Sequence, residues 1–222
     1  MFPVETRYLG KTTRQTLSAD ACKATQQALL ETKQSILVFL PGAGEIRQVE
    51  RLLTDFPLDP HTLIAPLYGN LSTQAQDQAI LPPPAGWRKI VLSTNIAETS
   101  LTIEGIRLVV DTGLMRVPRF DPRSGMSRLH TITVSQQSAE QRRGRAGRLE
   151  PGLCVRLWSE AEQRTFMPRT PPEILDADLT SLALELARWG IRDQQELFWL
   201  DPPPSGSMAQ ARQLLGYLGA LN

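Results

Sequence analysis

The sequence predicts an α/β fold built on a parallel sheet, followed by a small helical module. Three observations carry this. The apolar runs at 35–40, 89–93 and 107–111 are continuous rather than alternating, as in strands buried on both faces. Segments with helical spacing of apolar residues lie between them. At Pro168-Arg169-Thr170-Pro171-Pro172 the composition shifts, and only helical periodicity follows.

Residues 1–17 are polar and extended, a linker or lead-in strand. Ser18-Ala19-Asp20 is a helix start, with Ala21, Ala24, Ala28 and Leu29 as a partial apolar stripe over 18–32. The run 35–40 ends at Pro41-Gly42, and Ile46, Val49, Leu52 and Leu53 place a helix over 43–54. A short strand at 62–67 precedes a Gln-rich helix at 71–81, which three consecutive prolines end. Strands at 89–93 and 107–111 follow, the second closing on Asp111. Residues 114–134 break the rhythm: two alternating segments flank Pro122-Arg123-Ser124-Gly125, the pattern of a β-hairpin. A helix over 135–145 starts near Ser135 or Ser138, and 152–158 is the last strand. Beyond the break, Leu179, Leu182, Ala183, Leu186 and Ala187 form an amphipathic helix closed by Gly190. A final helix spans about 207–218. This module of roughly 50 residues is too small for a large core of its own.

The chain has 222 residues, 41% hydrophobic and 21% charged, with a net charge of +1. That excludes a globally basic nucleic-acid binder, so any such contact must come from local clustering. The clustering exists: every basic residue after Lys89 is arginine, which suits bidentate contact with phosphate. Cys22 and Cys154 fit neither a disulfide framework nor a metal site, and His61 and His130 are too scattered to hold a metal. No apolar run nears the length of a membrane span and no leader is evident, so the expected location is the cytoplasm.

Two stretches carry candidate chemistry. Residues 141–148 hold four arginines, and Arg145 and Arg148, three apart, share a face if the segment is helical. The loop 93–103, after a buried strand, is rich in hydroxyls. Hydroxyls at the carboxyl end of a parallel strand are good phosphate ligands, and they also suit an ordinary capped turn.

Together these stretches resemble motifs V and VI of the DEAH-box helicases of superfamily 2. Leu37-Val38-Phe39-Leu40-Pro41-Gly42 with Glu45 and Ile46 resembles motif IV, and Pro66-Leu67-Tyr68-Gly69 resembles motif IVa. Val110-Asp111-Thr112-Gly113, followed by 120–126, resembles the approach to that family's β-hairpin. Pro172-Glu173-Ile174, Trp189-Gly190-Ile191 and Asp201-Pro202-Pro203-Pro204 resemble its winged-helix domain. Residues 116–121 and 147–152 look most like the bacterial HrpB-type subgroup. No phosphate loop and no Asp-Glu-Ala-His occur, and in the family both belong to a first RecA-like domain. The resemblance therefore implies a RecA-like parallel sheet with a projecting hairpin over 18–167 and a winged helix over 168–222. It implies a piece of an ATP-dependent RNA helicase that does not hydrolyse ATP alone. The other reading is a non-enzymatic RNA- or protein-binding module.

By resemblance, Arg145 and Arg148 are arginine fingers on the β/γ-phosphates of ATP, and Gln141 orients water or touches the γ-phosphate. Ser100 senses the nucleotide, with Thr102 and Glu104 on the same face. Thr94, Asn95, Gly42 and Gly69 contact the RNA backbone, and Arg119 and Arg123 belong to the hairpin beside it. Arg142 holds local structure, and Arg143 is basic surface. Mg2+ is expected on the first domain, with no metal site here. The implied partners are that domain and single-stranded RNA, for a monomer away from membranes. Ile80 stands where relatives stack an aromatic on adenine. Arg145 and Arg148 are expected to be largely exposed, facing a composite site.

Overall fold

The computed structural model describes residues 2–10, 12–99, 102–121 and 123–221. Its strands are β1 (Val4–Tyr8), β2 (Ser35–Phe39), β3 (Thr62–Leu67), β4 (Arg88–Ser93), β5 (Ile106–Asp111), β6 (Leu114–Asp121), β7 (Met126–Thr133) and β8 (Gly152–Arg156). The helices are α1 (Leu17–Glu31), α2 (Ala43–Thr54), α3 (Thr73–Ile80), α4 (Ile96–Thr99), α5 (Gln136–Gly144), α6 (Glu160–Gln163), α7 (Thr180–Arg188) and α8 (Ser205–Tyr217). A 3-10 turn, Arg145–Gly147, continues α5.

Six strands form one sheet in the order β1-β8-β5-β2-β4-β3, every pair parallel. β2 is buried along its whole length, as its unbroken apolar run requires. Alternate residues feed two cores. Ile36, Val38, Ile90, Leu92, Leu108 and Val110 pack with α1 and α2 on one face. Leu37, Phe39, Val91, Val109 and Cys154 pack on the other with Ala79 of α3, Ala97 of α4 and Ala146 of the 3-10 turn. The strand period of two thus splits one run between two layers.

The N-terminal segment is part of this sheet. β1 runs parallel to β8, and Phe2 N–H donates to the Gly147 carbonyl at 2.9 Å. A Cβ on Gly147 would lie 2.5 Å from Val4 Cγ2 and 2.7 Å from the Phe2 carbonyl oxygen. The surface that Gly147 admits is therefore the chain's own first strand.

Contacts divide the chain into two units: 1–116 with 131–170, and 117–130 with 171–222. The second unit is thus discontinuous, because the hairpin tip groups with the C-terminal helices. Phe120 N–H donates to the Asp176 carbonyl at 2.9 Å, and Arg119 pairs with Asp176 at 3.3 Å. Its core joins Leu179, Ala183 and Leu186 of α7 to Met208, Ala211 and Leu215 of α8. Gly190 ends α7 at φ +80°, a left-handed stop that glycine adopts without a Cβ clash. Among the described residues, 171–222 contains no strand.

Candidate functional site

The carboxyl ends of the parallel strands bring the hydroxyl-rich loop and the arginine octet of the larger unit together. Ser135 caps α5, its hydroxyl accepting the Ser138 N–H at 3.1 Å. The helix aims Arg142 into the core, and the chain then tightens into the 3-10 turn. Arg145 opens this turn and Arg148 caps it.

Arg142 has no exposed side-chain surface. It donates from Nε to Glu98 Oε2 at 3.0 Å, and from Nη1 to Asp111 Oδ1 at 2.9 Å and the Leu114 carbonyl at 3.2 Å. Its guanidinium also lies over the Phe39 ring, 4.8 Å from the centroid. Burial works against its charge, and the Asp111 and Glu98 carboxylates outweigh burial, so the guanidinium is held above its ordinary value. One arginine thereby ties α5 to the end of β5 and to α4. Of the triad, Glu98 carried no signal of its own in the sequence. Asp111 did: an acid at the end of a buried strand demands a cation.

Arg145 corrects one expectation. It is only 7% exposed, not largely open to solvent. Its Nε donates to the Glu98 carbonyl at 2.9 Å, and its Nη2 bonds the same oxygen. Arg145 follows the fully buried Arg142 by three residues and so continues its inward face, which places its guanidinium against the Glu98 carbonyl of α4. Burial, and then the positive charge of Arg148, lower its pKa, with Glu98 opposing them. Arg148 is half-buried, and its Nη1 donates to Thr102 Oγ1 at 2.7 Å. Two coupled guanidiniums, both held on oxygens of the loop that follows β4, make a local concentration of positive charge suited to a polyanion. Gln141, Thr102 and Glu104 are exposed nearby in the chain. Ser100 lies outside the described residues.

The backbone-contact candidates line the same sheet edge. Leu40 N–H donates to the Ser93 carbonyl at 2.8 Å, and Thr94 N–H to the Leu67 carbonyl at 3.2 Å. Gly69, Thr94–Asn95 and Gly42 therefore follow the adjacent ends of β3, β4 and β2. Asn95 and Gly69 are exposed, and a Cβ on Gly69 would meet nothing within 4 Å. Gly42 is buried, with the Arg116 guanidinium packed on it where a Cβ would stand, and Arg116 Nη2 pairs with Glu45 Oε1 at 2.9 Å. Neither Arg116 nor Glu45 is among the predicted site residues, although Glu45 belongs to the motif IV-like stretch and Arg116 to the 116–121 stretch. Arg119 and Arg123 fall in the second unit, paired with Asp176 and Asp121.

Two other buried cations are structural. Arg156 reaches the Tyr8 hydroxyl, the Ala139 carbonyl and Glu140, fastening β8 to β1 and α5. Lys89 fills the end of α3, donating to the Ala79 and Leu81 carbonyls at 2.6 and 2.5 Å. Burial pushes the Cys154 thiol up to about 12, which leaves it inert. Among the described residues, no cluster of His, Cys, Asp and Glu could hold a metal ion, and no helix is long and apolar enough to cross a membrane.

Comparison with known proteins adds four findings. Residues 20–150 match the helicase conserved C-terminal domain family. The chain is 50% identical over 220 residues to the Escherichia coli protein named ATP-dependent RNA helicase HrpB, covering 99% of this chain and 27% of that protein. It is 40% identical to the Schizosaccharomyces pombe pre-mRNA-splicing factor ATP-dependent RNA helicase prp22, of which it covers 19%. A crystal structure of the Escherichia coli DEAH/RHA helicase HrpB superimposes with a TM-score of 0.92 at 49% identity, over 100% of this chain and 28% of that one. The chain thus spans about a quarter or less of the length of these relatives.

Proposed function

Because the chain belongs to the helicase conserved C-terminal domain family, we propose that it works as the second RecA-like half of an ATP-dependent RNA helicase. The observation that carries this reading is the pair Arg145 and Arg148, which open and cap one 3-10 turn and are both bonded to oxygens of the segment that follows β4. ATP, held with Mg2+ on a first RecA-like domain, supplies the β/γ-phosphoanhydride that is cleaved. Arg145 and Arg148 stabilise the charge that develops on the transferred phosphoryl, and Gln141 orients the attacking water. Arg142 performs neither task. It fixes the turn that carries the fingers. Ser100, Thr102 and Glu104 belong to the face that registers nucleotide state, and the Arg148–Thr102 bond supports placing Thr102 there.

On the RNA side, Thr94, Asn95 and Gly69 lie along adjacent strand ends and meet the backbone rather than the bases, so sequence preference is low, whereas Gly42 at the third strand end is covered by Arg116. Arg119 and Arg123 of the hairpin are RNA contacts of the second unit in this reading. Domain closure around ATP changes the grip of this edge on RNA and so couples hydrolysis to movement. The protein works as a monomer in the cytoplasm. The segment 168–222 serves as its winged helix.

The test is a chimera in which this chain replaces the matching segment of Escherichia coli HrpB. RNA-stimulated phosphate release is expected from the chimera, and none above a buffer blank from the 222-residue chain alone. Turnover by the isolated chain, or a folded chimera that RNA does not stimulate, would overturn the reading.

A further inference from the structure

The outer edge of the large sheet carries features that neither the nucleotide site nor the RNA track uses. β3 pairs with β4 on one side only. The Leu67 carbonyl accepts the Thr94 N–H, and the His61 carbonyl accepts the Arg88 N–H at 3.0 Å. Both bonds face β4, so alternate residues Leu63 and Ala65 turn their backbone groups inward, and Thr62, Ile64 and Pro66 turn theirs outward. Thr62 N–H is taken by the Asp59 carbonyl at 2.9 Å, and Pro66 has no N–H. The edge therefore offers the Ile64 N–H and C=O, with the Thr62 C=O beside them.

Soluble proteins blunt such edges with charge or proline along the strand. Here one proline, Pro66, guards the carboxyl end of β3, while Thr62-Leu63-Ile64-Ala65 carries neither charge nor proline and Leu63 is 40% exposed. Two grooves flank the strand and share Leu63 and Ile64. One, of about 320 Å³, lies on the α3 side between Leu63, Ala65, Leu81 and Pro82. The other, of about 620 Å³, lies on the α2 side between Ile64, Phe56, Leu58 and Pro60, with Glu50 and Asp59 on its wall. Consecutive side chains of a strand point to opposite faces. A strand added to this edge would therefore drop neighbouring side chains alternately into the two grooves.

We propose that the β3 edge is a strand-addition site for an extended segment of a separate protein. That segment has adjacent β-branched apolar residues and a basic residue that reaches Glu50 and Asp59. The backbone of Ile64 supplies affinity, the two grooves select apolar side chains on both faces, and the two carboxylates set the register. Proline at the central position of the segment is excluded, because its nitrogen cannot donate to the Ile64 carbonyl.

The probe is a fluorescein-labelled acetyl-Ser-Val-Ile-Val-Arg-Ser amide peptide, compared with a copy whose central Ile is Pro. Binding of the first peptide is expected to slow hydrogen exchange at the Ile64 amide at least about tenfold, whereas the proline copy does not bind. Glu50→Lys, a change on the surface of α2, is expected to weaken binding about tenfold, and Leu63→Asp to abolish it while the melting temperature holds. Equal binding of the two peptides, or an Ile64 amide whose exchange the peptide leaves unchanged, would overturn the proposal. So would concentration-dependent dimerisation lost in Leu63→Asp, which would assign the edge to a second copy of this chain.

Discussion

Replacing Arg142 by methionine keeps much of its length and removes its charge. The magnitude follows from what remains. The Asp111 side chain is fully buried and Glu98 is 13% exposed, and both lose their cation. Asp111 Oδ1 would keep only the Gly113 N–H at 2.9 Å, and its Oδ2 already lacks a partner. Breaking a buried pair while leaving the other charge in place costs about 3–5 kcal/mol. In a chain of this size each kcal/mol lowers the melting temperature by about 2–4 °C, so Arg142→Met should lower the melting temperature of the larger unit by about 6–20 °C. Circular dichroism melts measure this. Adding Asp111→Leu should recover part of the loss, because an apolar pair replaces a stranded carboxylate. A drop under about 2 °C for the single variant would refute the reasoning and leave the turn that carries Arg145 and Arg148 without a defined anchor.

Two further outcomes test the fold that positions the site. Gly147→Ala should loosen β1, because the new methyl meets a backbone oxygen that cannot yield cheaply. The cost is about 1–3 kcal/mol, with faster amide exchange confined to Val4–Tyr8. Lys89 is held at about 8 by burial, below its ordinary 10.5, so between those values the unfolded chain binds more protons than the folded one. Stability relative to Lys89→Met should therefore rise with pH across that window, by up to roughly 3 kcal/mol. A difference independent of pH would contradict it.

The sheet was legible because burial leaves a plain trace. A strand covered on both faces must be apolar along its covered length, and 36–40, 90–92 and 108–110 are. Ser135 as the cap of α5 and Gly190 as the stop of α7 were legible for similarly local reasons. What stayed hidden depends on groups far apart in the chain. Glu98 and Asp111 become one site only when β4 and β5 flank β2 and Arg142 reaches between them. The burial of Arg145 was hidden because helical spacing shows that it shares a face with Arg148 and not which face meets α4; the Glu98 carbonyl that holds it is 47 residues away in the chain. Arg116 on Gly42 was invisible because the two residues are separated by an entire crossover of the sheet. The grouping of 117–130 with 171–222 rests on contacts such as Phe120 with Asp176, which no local pattern encodes.

The central claim is that Arg148 and Arg145 act on the transition state of hydrolysis rather than on folding or nucleotide binding. The most direct measurement is steady-state ATP hydrolysis by the Escherichia coli HrpB chimera with saturating RNA, comparing Arg148→Ala with the unaltered chain. An arginine finger is worth about 10³–10⁵ in kcat, so kcat should fall by at least about 10³ while the melting temperature holds and KM changes little. An Arg148→Ala chimera that keeps its kcat, or loses activity only through KM, would contradict the account.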